Sequence, residues 1–122
     1  MSVEDVEMID IIGVEPESDK VVLTIADHLE WSDEYDHLKM LQAKLNTYVG
    51  FIQSGEMTSA YPTALGRKSV IEIVWKCIPT KSAIKFVTEA TIALHHLGIE
   101  LRSDVKKETA TVFPSTNEEP SS

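Results

Sequence analysis

The feature that most constrains this chain is one long stripe of apolar side chains. Leu38, Leu41, Leu45, Tyr48 and Ile52 follow one another at spacings of three or four residues, the repeat of a helix that buries one face. A helix of about 20 residues is about 30 Å long. In a chain of 122 residues, such a helix must lie across a second apolar layer.

Residues that favour helix ends flank the stripe. Ser32 or Asp33 is suited to cap the first turn, and the acidic residues after it suit the positive end of the helix dipole. Gly55 suits the left-handed conformation that ends many helices. The sequence therefore predicts a central helix that starts near Ser32 or Asp33 and ends near Gly55.

Four other segments have the pattern of strands. Residues 8–14 and 21–25 are rich in β-branched residues and are separated by turn formers at 15–19, which predicts a β-hairpin. Residues 69–78 alternate an apolar set with a mixed set, as in a sheet covered on one side. Residues 99–103 alternate in the same way.

A second helix is predicted between the last two strands, at about 81–97. Its predicted buried side comprises Ala83, Ile84, Val87, Ala90, Leu94 and Leu97. The order is then β-β-α-β-α-β, an α+β class with a four-stranded sheet and two helices packed on one face. Residues 56–68 are predicted to be a loop, and the strand order stays open.

The chain is predicted to hold one domain, residues 1–104. Residues 105–122 are dominated by Lys, Glu, Thr, Ser and Pro, a composition too poor in apolar groups to offset the entropy of ordering. We expect this C-terminal tail to be disordered.

Charge is distributed unevenly. The formal net charge is −9, and residues 1–36 hold 12 of the 20 acidic residues with one basic residue, Lys20. This field repels phosphate backbones, so no nucleic acid partner is expected. It favours a basic protein partner, although acidity also serves solubility alone.

A cytoplasmic location is expected. No apolar run approaches the ~20 residues that span a bilayer, and the acidic N-terminus differs from a signal peptide, so no membrane association is predicted. Cys77 is the only cysteine and can form no internal disulfide. On the predicted strand it is a buried small side chain rather than a nucleophile.

The densest polar cluster spans residues 27–37. One hypothesis makes it a surface that contacts a protein partner, through Asp27, Glu30, Trp31, Asp33, Glu34 and Tyr35. An alternative makes His28 and His37, with nearby carboxylates, a metal site. A third interpretation leaves the carboxylates as helix caps and packs Trp31 onto the first helix.

Motifs of enzymes are missing from the sequence. It has no GxGxxG, no P-loop and no GxSxG nucleophile elbow, so no cofactor is expected and the chain is predicted not to be an enzyme. The basic residues Arg67 and Lys68, with Lys81 and Lys85, could receive an anion or could protect sheet edges.

Several stretches together resemble a family of small bacterial proteins known only as a domain of unknown function. They are residues 21–31, 41–55, Tyr61-Pro62 and Gly66-Arg67, of which Asp-His-Leu-Glu-Trp at 27–31 is the most distinctive. The resemblance covers about residues 5–103. It implies a bacterial cytosolic protein and brings no activity, cofactor or catalytic residue.

Three functions remain open. The first is a non-enzymatic protein-binding module, one version being an immunity-type acidic inhibitor of a basic toxin. The second is a metal-binding domain or small metal-dependent enzyme that uses His28 and His37. The third is a self-associating protein, a homo-oligomer joined through the uncovered sheet face or an edge strand.

Overall fold

The fold was analysed in a computed structural model that describes Ile9 and residues 11–105. The strands are β1 (Ile11–Val14), β2 (Val21–Asp27), β3 (Ser69–Trp75) and β4 (Ile99–Val105), and the α-helices are α1 (Glu34–Gln53), α2 (Glu56–Ala60) and α3 (Lys81–His95). The predicted α+β class and the order of the main elements are confirmed.

The strands form one mixed sheet in the order β1-β2-β3-β4. β1 and β2 pair antiparallel, which confirms the hairpin. β2, β3 and β4 are parallel, so each connection must cross over the sheet, and α1 and α3 provide these crossovers. The sequence left the strand order open because only these pairings decide it.

Both long helices pack on the same face of the sheet. Leu23 and Ile25 of β2 share one core with Leu41 and Tyr48 of α1 and with Ala83 of α3. The Tyr48 hydroxyl donates to the Thr24 carbonyl at 3.0 Å, which ties α1 to β2. The predicted stripe is thus the inward side of α1.

Both long helices begin at a side-chain cap, and both ends of α1 follow the prediction. Asp33 caps α1, and its Oδ1 accepts from the Asp36 N–H at 3.1 Å. Thr80 caps α3 by accepting from the Ala83 N–H at 3.1 Å. Gly55 and Gly98 have φ values of 88° and 78°, the left-handed conformation that glycine adopts without strain.

Several boundaries differ from the prediction. The predicted loop 56–68 contains α2 and a 3₁₀ helix, Pro62–Ala64. Helices this short were not predicted because they have no apolar repeat. β3 ends at Trp75, so Cys77 lies after the strand and is half-buried. β4 includes Val105, whereas the rest of the predicted tail lies outside the described residues.

The predicted buried side of α3 is partly wrong. Ala83 and Leu94 are buried, but Ile84 and Leu97 are exposed. α3 lies along β4, the last strand of the sheet, so one flank of the helix has no neighbour in the described part of the chain. Lys44 of α1 was not expected in the core, yet it is fully buried with its Nζ 5.6 Å from the centre of the Tyr48 ring.

On the face of the sheet away from the helices, an ion pair joins β4 to the residue that follows β1. Arg102 Nη2 of β4 lies 2.7 Å from Glu15 Oε2, directly after β1. A hydrogen bond from Ser18 Oγ, and then the Arg102 guanidinium, lower the pKa of the Glu15 carboxyl. The pair thus reaches across the two central strands.

We expect replacement of Leu41 by Ala to destabilise the fold by about 2–5 kcal/mol, because it leaves a cavity under the centre of α1. Urea denaturation of the variant measures this change. The exposed Leu65 gives a matched control, and Leu65→Ala should change the free energy of unfolding by less than about 0.5 kcal/mol. Equal effects of the two variants would contradict the assignment of the core.

The lowered pKa of Glu15 predicts a loss of stability in acid. Because the carboxyl is more acidic in the folded chain than in the unfolded chain, its contribution is present above the unfolded pKa and is lost as the pH falls through the folded pKa. Denaturation of Glu15→Gln should therefore depend less on pH in the acid range than that of the native chain. Identical pH profiles of unfolding for Glu15→Gln and the native chain would show that the Glu15 carboxylate does not contribute to stability.

Candidate functional site

The candidate site lies where β2 and β3 end and α1 begins. Asp27 and Trp75 are the last residues of β2 and β3, and they are partners in the parallel register. The chain then passes from Asp27 through residues 28–33 into α1. The carboxyl ends of parallel strands are the usual position of binding sites in sheets of this kind.

Asp27 and His37 form a buried pair at the centre of this region. Each is 2% exposed, and His37 Nε2 lies 2.8 Å from Asp27 Oδ1 and 2.6 Å from Oδ2. Asp27 points to the helix-covered side because it continues the inward positions of β2. His37 reaches it from the first turns of α1.

Both ring nitrogens of His37 have a hydrogen-bond partner. His37 Nδ1 is 3.2 Å from the Glu30 carbonyl oxygen, which can only accept. Nε2 lies within hydrogen-bonding distance of both carboxylate oxygens of Asp27. A buried pair of this kind is tolerated in the interior because each polar group has its partner and further hydrogen bonds.

The same pair holds the connecting loop. Asp27 Oδ1 also accepts from the Leu29 N–H at 3.1 Å, and the Asp27 carbonyl accepts from the Lys76 N–H at 2.8 Å. Together with the bond from His37 to Glu30, these contacts fix residues 28–33 against the ends of both strands. The loop is therefore a rigid support for the side chains it carries.

Two tryptophans, Trp31 and Trp75, pack against the Asp27–His37 pair. The Trp31 ring stacks on His37 with 3.7 Å between centroids and 20° between planes. Trp75, which is buried, lies 5.6 Å from Trp31 and 6.4 Å from His37, centroid to centroid. The stacked Trp31 indole covers one face of the His37 ring and helps to separate the pair from water.

The six residues of the predicted contact face do not share one surface. Asp27 is buried and its carboxylate is bonded to His37, so the prediction that Asp27 belongs to the contact face is wrong. Trp31 is half-buried on His37 rather than fully exposed. Glu34 is half-buried and accepts a hydrogen bond from Thr80, which joins the first turns of α1 and α3.

The other three predicted residues are exposed. Glu30 and Asp33 lie at the surface of the loop, and Tyr35 is 76% exposed in the first turn of α1. Asp36, which was not in the predicted face, is exposed beside them. A shallow cleft of about 180 Å³ opens here and is lined by Leu29, Glu30, Ser32, Asp33, Asp36, His37 and Met40.

The two histidines of the metal alternative have different surroundings. His28 is exposed, whereas His37 is buried with both ring nitrogens in hydrogen bonds. A metal ion on His37 would have to displace Asp27 or the Glu30 carbonyl. Within residues 11–105, no group of three or more His, Cys, Asp or Glu side chains is arranged to hold a metal ion.

A model of a family of unknown function, DUF6572, matches residues 1–107. The chain belongs to the DUF6572 family. This confirms the resemblance to a domain of unknown function. No curated protein and no solved structure shows a significant match to this DUF6572 chain, so the residues of the site carry the functional argument.

We expect Asp27→Asn and His37→Gln each to destabilise this DUF6572 protein by about 3–5 kcal/mol, because each leaves the other member of a buried pair uncompensated. The double variant should lose less than the sum of the two. Chemical denaturation of all four proteins measures the coupling.

The exposed His95 provides the control for loss of a histidine. His95→Gln should unfold like the native chain, within about 0.5 kcal/mol. Losses for Asp27→Asn and His37→Gln that simply add in the double variant would show that the two side chains act independently.

Proposed function

We propose that this DUF6572 protein is a non-enzymatic protein-binding module of the bacterial cytosol that binds a basic partner. The contact surface is defined by Glu30, Asp33, Tyr35 and Asp36, and is called the acidic surface below. An immunity-type inhibitor that masks the cationic site of a toxin is one form of this function. Within the described residues, no helix has both the length and the apolar character needed to cross a membrane.

The observation that carries the proposal is the exposure of Glu30, Asp33, Tyr35 and Asp36 on a rigid support, with Lys39 Nζ 5.6 Å from the centre of the Tyr35 ring. Tyrosine gives a large contact area with little loss of side-chain entropy, and it is frequent among the residues that dominate binding energy. The buried Asp27–His37 pair holds the loop before binding, so little ordering has to accompany association.

The cleft lined by Glu30, Asp33 and Asp36 suits a lysine or arginine side chain of the partner. Leu29 and Met40 offer apolar contacts for the aliphatic part of such a side chain, and Glu30 and Asp36 offer carboxylates for its charged end. Long basic side chains bury their methylene groups in this manner.

The chemistry of His37 argues for binding rather than catalysis. A general base needs a ring nitrogen within reach of the proton that it removes. Both nitrogens of His37 are already bonded, and the Trp31 ring covers one face of the imidazole. The pair supports the surface and offers no reactive atom to a substrate.

The test compares two double variants with the same change in net charge. Glu30→Lys/Asp36→Lys alters the acidic surface, and Glu17→Lys/Glu56→Lys alters two exposed acids elsewhere. The partner is captured from the native host with the unmodified chain, identified, and its association rate measured at low and high salt. We expect the first variant to slow association by about tenfold or more, and salt to slow it as well.

A third variant, Tyr35→Ala, should speed dissociation because it removes the aromatic contact. The proposal fails if the captured partner is acidic, or if its association rate is the same at low and high salt. It also fails if Glu17→Lys/Glu56→Lys weakens binding as much as the variant of the acidic surface.

A further inference from the structure

A second cleft, of about 480 Å³, lies at the amino ends of the parallel strands, the opposite end of the sheet from the acidic surface. Ser69 and Ile99 are the first residues of β3 and β4 and are partners in the register. Lys20 and Lys68 directly precede β2 and β3. The last turns of α3 form the other wall. Clefts of this volume are large enough to hold a small organic molecule.

The floor of this cleft is apolar. Ile99 and Leu101 of β4 line it and are buried. They are the register partners of Ser69 and Ile71, so they lie on the side of the sheet that α3 covers. An apolar part of a ligand is suited to such a floor, because binding sites are lined mainly by apolar side chains with a few placed polar groups.

Ser69 supplies one such polar group. It occupies an inward position of β3, where Ile71 and Ile73 are fully buried, and it is only 8% exposed. Its hydroxyl has no hydrogen-bond partner among residues 11–105, and the residue lines the cleft. Because a buried hydroxyl without a partner is costly, this position favours a bound molecule that offers an oxygen acceptor.

The rim of the cleft has an excess of positive charge. Lys68 is exposed, and no carboxylate in the described part of the chain forms an ion pair with it. Lys20 Nζ lies 2.8 Å from Glu100 Oε1, so Lys20 compensates the carboxylate that lines the cleft. His95 at the end of α3 adds at least one N–H, whether its ring is neutral or charged.

We propose that this cleft binds a small organic monocarboxylate. Lys68, His95 and the Ser69 hydroxyl recognise the carboxylate, and Ile99 and Leu101 contact the apolar part of the molecule. This site is independent of the acidic surface, since the two lie at opposite ends of the sheet.

The charge of the cleft favours a carboxylate over a phosphate ester. After the pairing of Lys20 with Glu100, Lys68 leaves one positive charge, which matches one negative charge on a ligand. The carboxyl end of α3 carries partial negative charge and disfavours a second. A phosphate monoester carries about 1.5–2 negative charges at neutral pH, so it is the poorer match.

The structure separates the basic residues for which the sequence allowed an anion. Lys68 lines the cleft. Arg67 donates to the Asp19 carbonyl at 3.1 Å and pairs with the Asp19 carboxylate. Lys81 and Lys85 are exposed on α3 and do not line the cleft. Lys85 therefore provides a control for the loss of one lysine charge.

Titrations of the isotope-labelled full chain, followed by amide NMR, test the site. The probes are benzoate, hexanoate as a flexible carboxylate, and benzyl alcohol as an uncharged analogue of benzoate. We expect benzoate to shift the amide signals of Ser69, Gly98 and Leu101 with a millimolar dissociation constant. Benzyl alcohol should bind about tenfold more weakly or worse, because it lacks the charge that strengthens the hydrogen bonds.

Three variants locate the interaction. Lys68→Gln should weaken benzoate binding by about tenfold or more, because it removes a charged donor. Lys85→Gln makes the same change in net charge and should leave binding unchanged. Ser69→Ala should weaken binding by about three- to tenfold through the loss of one neutral hydrogen bond. Circular dichroism confirms that each variant is folded.

The proposal fails if neither benzoate nor hexanoate shifts the signals of the cleft. It also fails if Lys85→Gln weakens binding as much as Lys68→Gln, since the effect would then be one of net charge. Tighter binding of phenyl phosphate than of benzoate would overturn the choice of a monocarboxylate.

Discussion

The contact between Asp27 and His37 determines how the first helix meets the sheet. It joins the last residue of β2 to the first turns of α1 within a buried environment, and the same carboxylate accepts from Leu29 while the same ring reaches Glu30. Buried charges are costly unless they are paired and hydrogen-bonded. Few other positions of α1 relative to β2 would satisfy both Asp27 and His37. The direction of α1, and with it the position of Tyr35, depends on this pair.

The segment from 27 to 37 therefore has two sides with different roles. Its inward side holds the pair and the stacked Trp31 against Trp75. Its outward side exposes Glu30, Asp33, Tyr35 and Asp36 to water. One dense polar stretch of sequence supplies both the support and the proposed binding surface, which explains why its residues could not be assigned to a single site.

Local pattern was sufficient to predict much of the fold. The stripe from Leu38 to Ile52, the alternation around Ile71 and Ile73, and the cap at Asp33 all act over a few residues, so they can be read from the chain directly. The class, the hairpin and the order of the main elements follow from them. The short helix α2 and the early end of β3 at Trp75 carry no such repeat and were missed.

The sequence by itself determined which residues need burial or a cap, because that need belongs to the side chain and its immediate neighbours. Only the tertiary structure decided that Asp27 pairs with His37 and that Ile84 is left at the surface. Asp27 and His37 are ten residues apart, and their distance depends on where β2 ends and how α1 crosses the sheet. Ile84 is exposed because β4 is the last described strand on its side, a property of strand order that no local spacing records.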